Sequence, residues 1–157
     1  MPNKKWSELN GLQLGRYGEY FAKMEFASYG FDVYTSEVDD HGIDFVVKNK
    51  QGKFFEVQVK AIRIEKTGYV FMRKDKFSIE QDNLILMLLL FEDGMLPRSY
   101  LIHSKEWAVE NDLFRNREYE GLKSKPEYGL NISKKNMVLL DQYSFENIIL
   151  NIKGLKC

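Results

Sequence analysis

The chain has 157 residues, 44% hydrophobic and 29% charged, and its 23 Lys and Arg balance 23 Asp and Glu. That length suffices for one domain with a real core, and zero net charge excludes global steering toward nucleic acid or anionic membrane while allowing a local basic patch. A single cysteine, Cys157, excludes an internal disulfide framework and a cysteine metal cluster; two histidines, His41 and His103, are too few for a histidine-rich zinc site. The longest apolar run, LILMLLLF at 84–91, is too short to span a bilayer as a helix, and the opening MPNKKWSELN lacks the apolar run of a signal peptide. The expectation is a cytoplasmic protein with no membrane partner.

In chain order, residues 8–30 read as a helix with Leu14, Tyr17, Phe21, Met24 and Ala27 or Ser28 on one stripe, closed by Gly30. Gly11, Gly15 and Gly18 each cost roughly 1 kcal/mol against alanine inside a helix. Three of them together imply close approach to a neighbour or a helix that starts late. Residues 31–38 read as a strand, DDHG at 39–42 as a turn, and GIDFVVKN at 42–49 as a second strand. After a turn at 50–52, FFEVQVKAI at 54–62 alternates as a third strand: Phe55, Val57, Val59 and Ala61 point one way, Glu56, Gln58 and Lys60 the other. GYVFMRK at 68–74 reads as a fourth strand and FSIEQDN as a short helix or turn.

The run 84–91, apolar on both faces, predicts a strand buried on both sides, and RSYLIHS a strand after it. SKEWAVENDLFRNR predicts a helix from an N-cap at Ser104 to about residue 115. Residues 116–128 read as a loop, YGLNIS as a last strand or edge, and FENIILNIKG as a terminal helix. Trp107 and the aromatic residues of the first helix are expected in the core. With no internal repeat or linker, this order predicts one α/β or α+β domain with a mixed sheet.

The polar face of the third strand has two readings. One is a solvated strand face with a cross-strand ion pair. The other is an acid, an amide and an amine lined up for chemistry. Asp44 lies on the preceding strand, so pairing around the 50–52 turn brings it toward the 56–60 face; Glu19 lies in the glycine-bearing helix. Carboxylates on two neighbouring strands suit a hard cation such as magnesium, held through oxygen ligands. Such a metal polarises a phosphoryl oxygen and lowers the pKa of a bound water, and a lysine alongside stabilises charge on the phosphate. That combination serves phosphodiester hydrolysis.

The same residues carry a resemblance. GRYGEYFAKMEFASYGFDV, then GIDF, then EVQVK resembles the core of the PD-(D/E)XK, or restriction-endonuclease-like, nuclease superfamily. The likeness is closest to its resolvase-like and methyl-directed restriction-like branches and to bacterial proteins that read GIDF…EVQVK. It covers residues 11–62 well, extends loosely to about 107 and leaves the C-terminal third uncovered. It implies a three-layer α/β domain, a central mixed sheet flanked by helices, spanning 1–157 with a core at 11–107 and a C-terminal extension at 108–157.

The resemblance also implies roles. Asp44 matches the metal-binding aspartate and Lys60 the motif lysine. Gln58 occupies the place of the acid, where its carbonyl oxygen can still face a metal. Glu19 matches the additional helix ligand of some branches, and Glu56, two residues from Gln58 on the same face, is a substitute carboxylate. Ile43 stands where the pattern has proline. The implied activity is Mg²⁺- or Mn²⁺-dependent cleavage of DNA, with a homodimer as the arrangement relatives often use. Arg63, Lys66, Arg16 and His41 are the candidate DNA contacts; Lys23, Arg73 and Lys74 could extend that rim. Because Gln58 brings no charge and the chain is neutral, the rival expectation is an inactive nuclease-fold module binding nucleic acid or a protein partner.

Overall fold

A computed structural model describes residues 2–35, 37 and 42–156. A single 3₁₀ turn at Trp6–Glu8 precedes helix α1, Gly11–Ser28. Asn10 caps α1 reciprocally: its side chain accepts from the Gln13 amide and the Gln13 side chain accepts from the Asn10 amide, both at 2.9 Å. At the other end Gly30, at φ +86°, donates to Ala27 while Phe31 donates back to Phe26, a Schellman closure. The helix therefore starts three residues later than the periodicity suggests, because the cap at Asn10 overrides the apolar spacing before it.

Strands β1 (Asp32–Thr35), β2 (Phe45–Lys48), β3 (Phe54–Arg63), β5 (Leu84–Phe91) and β6 (Arg98–His103) form one sheet in the order β1-β2-β3-β5-β6. Every pairing is antiparallel except β3 with β5, so the sheet is mixed, as expected. The turn expected at 39–42 falls, apart from Gly42, outside the described residues. The β2–β3 turn is organised by buried Asn49, whose side-chain oxygen accepts from the Gln51 and Lys53 amides. Its amide nitrogen donates to the carbonyls of Ile152, the last residue of the terminal helix, and of Leu155 just after it.

Strand β4 (Tyr69–Arg73) does not continue the meander. The β3 edge it would need is taken by β5, and β4 instead joins β8 (Glu127–Asn131) and β7 (Phe114–Arg117) in a second, antiparallel sheet ordered β4-β8-β7. Two cores result. Ile85, Met87, Leu89 and Phe91 of β5 face α1 and α3 (Phe145–Ile152); Leu84, Leu86, Leu88 and Leu90 face the second sheet. This explains the unbroken apolar run of β5. Trp107 is buried in the second core and donates to the Gly129 carbonyl at 2.8 Å.

Two local expectations are corrected. The stripe of α1 buried against the sheet is Leu14, Gly18, Ala22 and Phe26, with Tyr17 and Phe21 beside it, and Met24 is 59% exposed. Small residues at the closest contact let the helix sit tight on the sheet, which periodicity in large side chains misses. The helix expected from Ser104 to about 115 is only a 3₁₀ segment, Ser104–Ala108, followed by a turn and β7. The Ser104 hydroxyl donates to the Gln81 carbonyl instead of capping, and the Asn111 side chain accepts from the Leu113 and Phe114 amides, turning the chain into β7. Helix α2 (Met137–Asp141), before α3, was not anticipated.

The glycines of α1 separate the two effects. A Cβ at Gly18 would lie 2.9 Å from the Ala61 Cβ and 3.2 Å from a Leu89 methyl, whereas one at Gly15 meets nothing within 4 Å. Gly18→Ala is expected to lower the melting temperature, because overpacking of about 1–3 kcal/mol outweighs the ~1 kcal/mol gained in helix propensity. Gly15→Ala is expected to raise it. Thermal unfolding of the two variants beside the wild type checks the pair.

Candidate functional site

The site begins where β2 ends. β2 pairs with β3 only as far as Phe45 opposite Val57, so the Val59 amide lies past the ladder. Asp44 supplies its partner: Oδ2 accepts from Val59 N–H at 2.7 Å, while the Asp44 amide donates to the Val57 carbonyl at 2.9 Å. The carboxylate is thereby held at the point where the two strands part, beside the segment Gln58-Val59-Lys60.

An open cleft of about 430 Å³ lies there, lined by Gly15, Arg16, Glu19, Thr35, Asp44 and Val59 among others. Helix α1 forms one wall, and its close approach at Gly18 sets Glu19 across the cleft from Asp44. Glycines at 11 and 15 keep the wall bare: each lines the cleft and neither would bring a Cβ within 4 Å of another group. Glu19 pairs with Lys23 one turn on at 3.3 Å, and Lys23 also donates to the Thr35 hydroxyl at 3.2 Å. Arg16 adds a cation at the same wall. Nothing in the sequence singles out Thr35; it reaches the cleft only because β1 pairs with β2.

Gln58 and Lys60 project from the opposite face of β3 to Val59. Their register partners on β5, Leu86 and Leu88, belong to the second core. Gln58 is buried at 8% exposure, and its side-chain oxygen Oε1 has no hydrogen-bond partner. An unpaired buried carbonyl costs about 1–3 kcal/mol, so this atom is an acceptor waiting for a donor or cation. Burial pushes the Lys60 ammonium below the usual lysine range, and the Asp44 carboxylate pulls it partly back. The two groups are thus electrostatically coupled across the strand.

The other candidates divide. Glu56 lies outside this cleft, in a separate cavity of about 290 Å³ with Ile43, Lys76 and Ser78. Arg63, on the last residue of β3, pairs with Glu65 at 2.8 Å and donates to the Ser7 carbonyl. Lys66 is exposed on the following turn. Arg73 pairs with Asp75, and Lys74 with Glu118. His41 lies outside the described residues. Among the described residues no group of three or more His, Cys, Asp or Glu side chains is arranged to hold a metal ion, and no helix is long and apolar enough to cross a membrane.

No family model matches this chain, and no curated protein matches it in sequence. Among solved structures it is similar to Hjc, a Holliday junction resolvase from Archaeoglobus fulgidus, with a TM-score of 0.53 at 10% identity over 85% of this chain and 93% of that one. It is also similar to a bacterial homing endonuclease, with a TM-score of 0.48 at 17% identity over 80% of this chain and 78% of that one. The fold is restriction-endonuclease-like: a central mixed sheet flanked by helices.

The coupling at Lys60 gives a pH test. The folded state holds the Lys60 proton less tightly than the unfolded chain does, so the unfolded state binds more protons between the two pKa values. Stability contributed through this residue is lowest while Lys60 is charged in both states and is regained as pH rises through that interval. The melting temperature of the wild type relative to Lys60→Met is therefore expected to climb from neutral to alkaline pH. Parallel melts of both proteins over that range check the sign.

Proposed function

We propose that this protein is a metal-dependent nuclease that hydrolyses DNA phosphodiester bonds. The observation that carries the reading is the Asp44 carboxylate anchored on the Val59 amide at the β2–β3 divergence, with Glu19 lining the same cleft. The shared fold with a resolvase supports it. The fit to a cation rests on the donor set. Asp44, Glu19 and the unpartnered Gln58 Oε1 are all oxygen donors, which suits Mg²⁺ or Mn²⁺ rather than a soft metal.

Asp44 and Gln58 would hold the ion, with Glu19 holding a second ion or a bound water. The ion, when bound, supplies Lewis-acid polarisation and a more acidic water. This chain's own groups do the rest. Lys60, semi-buried and coupled to Asp44, orients the attacking water and offsets charge growing on the phosphate. Arg16, at the wall of the cleft, holds an adjacent phosphate. The Val59 amide holds the Asp44 carboxylate in one orientation. A homodimer would let two such clefts address both strands of a duplex.

One observation favours a second reading, an inactive module that binds nucleic acid or a protein partner: a neutral amide stands at residue 58.

Cleavage of plasmid and branched DNA in Mg²⁺ or Mn²⁺ separates the two. Asp44→Ala is expected to abolish cleavage and the Mn²⁺ heat seen by calorimetry. Lys60→Ala is expected to slow cleavage by about a hundredfold or more while leaving Mn²⁺ binding. Gln58→Glu, which restores a charge at the unpartnered position, is expected to tighten Mn²⁺ binding. Cleavage that persists without Lys60 would overturn the mechanism; DNA binding with no cleavage by either the wild type or Gln58→Glu would establish the module instead.

A further inference from the structure

The second sheet presents an outer face that the cleft does not use. Val70 and Met72 of β4, Leu130 of β8 and Phe114 of β7 point into the second core. The residues between them point away. Register sets Arg73, Glu127 and Arg117 in one row across the three strands and Phe71, Gly129 and Arg115 in the next, with Tyr69 opposite Asn131 in a third. Phe71 is 48% exposed in mid-strand, and all three arginines are exposed.

Three features set this face apart from a merely solvated one. The first is its flatness. Tyr69 lies folded across the sheet, its hydroxyl donating to the Glu127 carboxylate at 2.6 Å. It can do so because residue 129 is glycine; a Cβ there would collide with the Tyr69 ring. The second is the stacking order. The Tyr69 and Phe71 rings are near-parallel at 20°, 6.5 Å between centroids, and the Arg117 guanidinium sits over Tyr69 at 4.3 Å. The third is charge. Glu127 is only 6% exposed and is bonded to Tyr69, and Asp75 is paired with Arg73. Arg115 and Arg117 donate to neutral oxygens of Asn111 and Tyr119, which leaves guanidinium donors over for an anion.

The open Phe71 ring beside guanidinium groups complements a chain whose bases expose flat π surfaces and whose backbone carries a phosphate at every step. A paired duplex hides its base faces, so the fitting strand is unpaired. We infer that the outer face of the β4-β8-β7 sheet is a platform for single-stranded DNA, with a base stacking on Phe71 and phosphates meeting Arg115 and Arg117. The platform lies on the layer opposite α1, so it is separate from the cleft. Only the choice of DNA over RNA rests on the nuclease reading.

Fluorescence anisotropy of a labelled oligothymidylate with the full chain in EDTA tests this without requiring cleavage, so failure of the platform and failure of the nuclease reading give different results. Phe71→Ala, at an exposed position that leaves the core intact, is expected to weaken binding about fivefold to a hundredfold. Arg115→Gln with Arg117→Gln is expected to weaken it further and to flatten its salt dependence. Phe71→Trp is expected to retain affinity and to lose indole fluorescence as the oligonucleotide stacks. Wild-type affinity in Phe71→Ala, equal affinity for a blunt duplex, tighter binding of oligouridylate, or capture by anionic vesicles but not by the oligonucleotide would each overturn the inference.

Discussion

Val59 sits on a strand hemmed in on both sides, yet the ladder with β2 stops at Val57. A buried backbone amide left without a partner is costly, so the divergence of the two strands is tolerated only because Asp44 turns its carboxylate back onto that amide. The cleft depends on this one bond. If β2 stayed paired, the space between the strands and α1 would close. If β2 parted without the carboxylate, the Val59 donor would be orphaned. A structural requirement therefore fixes the position of a charged oxygen at the mouth of a cavity.

The second requirement is the closeness of α1. Glu19 can stand opposite Asp44 because the residue before it is glycine, and Gly18 lets the helix settle on Ala61 and Leu89. A larger residue there would lift the helix and widen the cleft. Packing and chemistry are coupled through adjacent residues: one sets the helix height and the next carries the carboxylate. Lys23 then neutralises part of that carboxylate's charge from one turn away, leaving the wall mixed in sign, with Arg16 beside Glu19.

What could be read in the sequence follows the range of the interactions that determine it. β5 was legible because burial on two faces leaves its mark residue by residue. Asp44 and the Gln58–Lys60 face were legible as neighbours because a short turn joins β2 to β3. The second sheet was not legible: Tyr69 and Glu127 are far apart in sequence, and nothing near β4 announces that β5 will take the β3 edge. The helix expected after Ser104 failed for a similar reason, since the Ser104 hydroxyl is claimed by the Gln81 carbonyl of a distant loop. Alternation also placed Glu56 with Gln58 and Lys60 on one face, but could not show that Glu56 lines a cavity with Lys76 and Ser78, apart from the cleft that Asp44 lines.

The two faces of β3 carry different halves of the candidate chemistry, and this bears on the amide at residue 58. Asp44, at the strand divergence, is the only member that faces the α1 cleft and also couples to Lys60 on the other side. A carboxylate at 58 would be buried against Leu86, where a charge without a cation is expensive. Glutamine presents the same oxygen at far lower cost when no ion is bound, and its Oε1 stays unpartnered in the fold. On the proposed reading, a neutral oxygen at that buried position would let the fold form without burying a second charge, and the ion would be held by Asp44 with this amide oxygen.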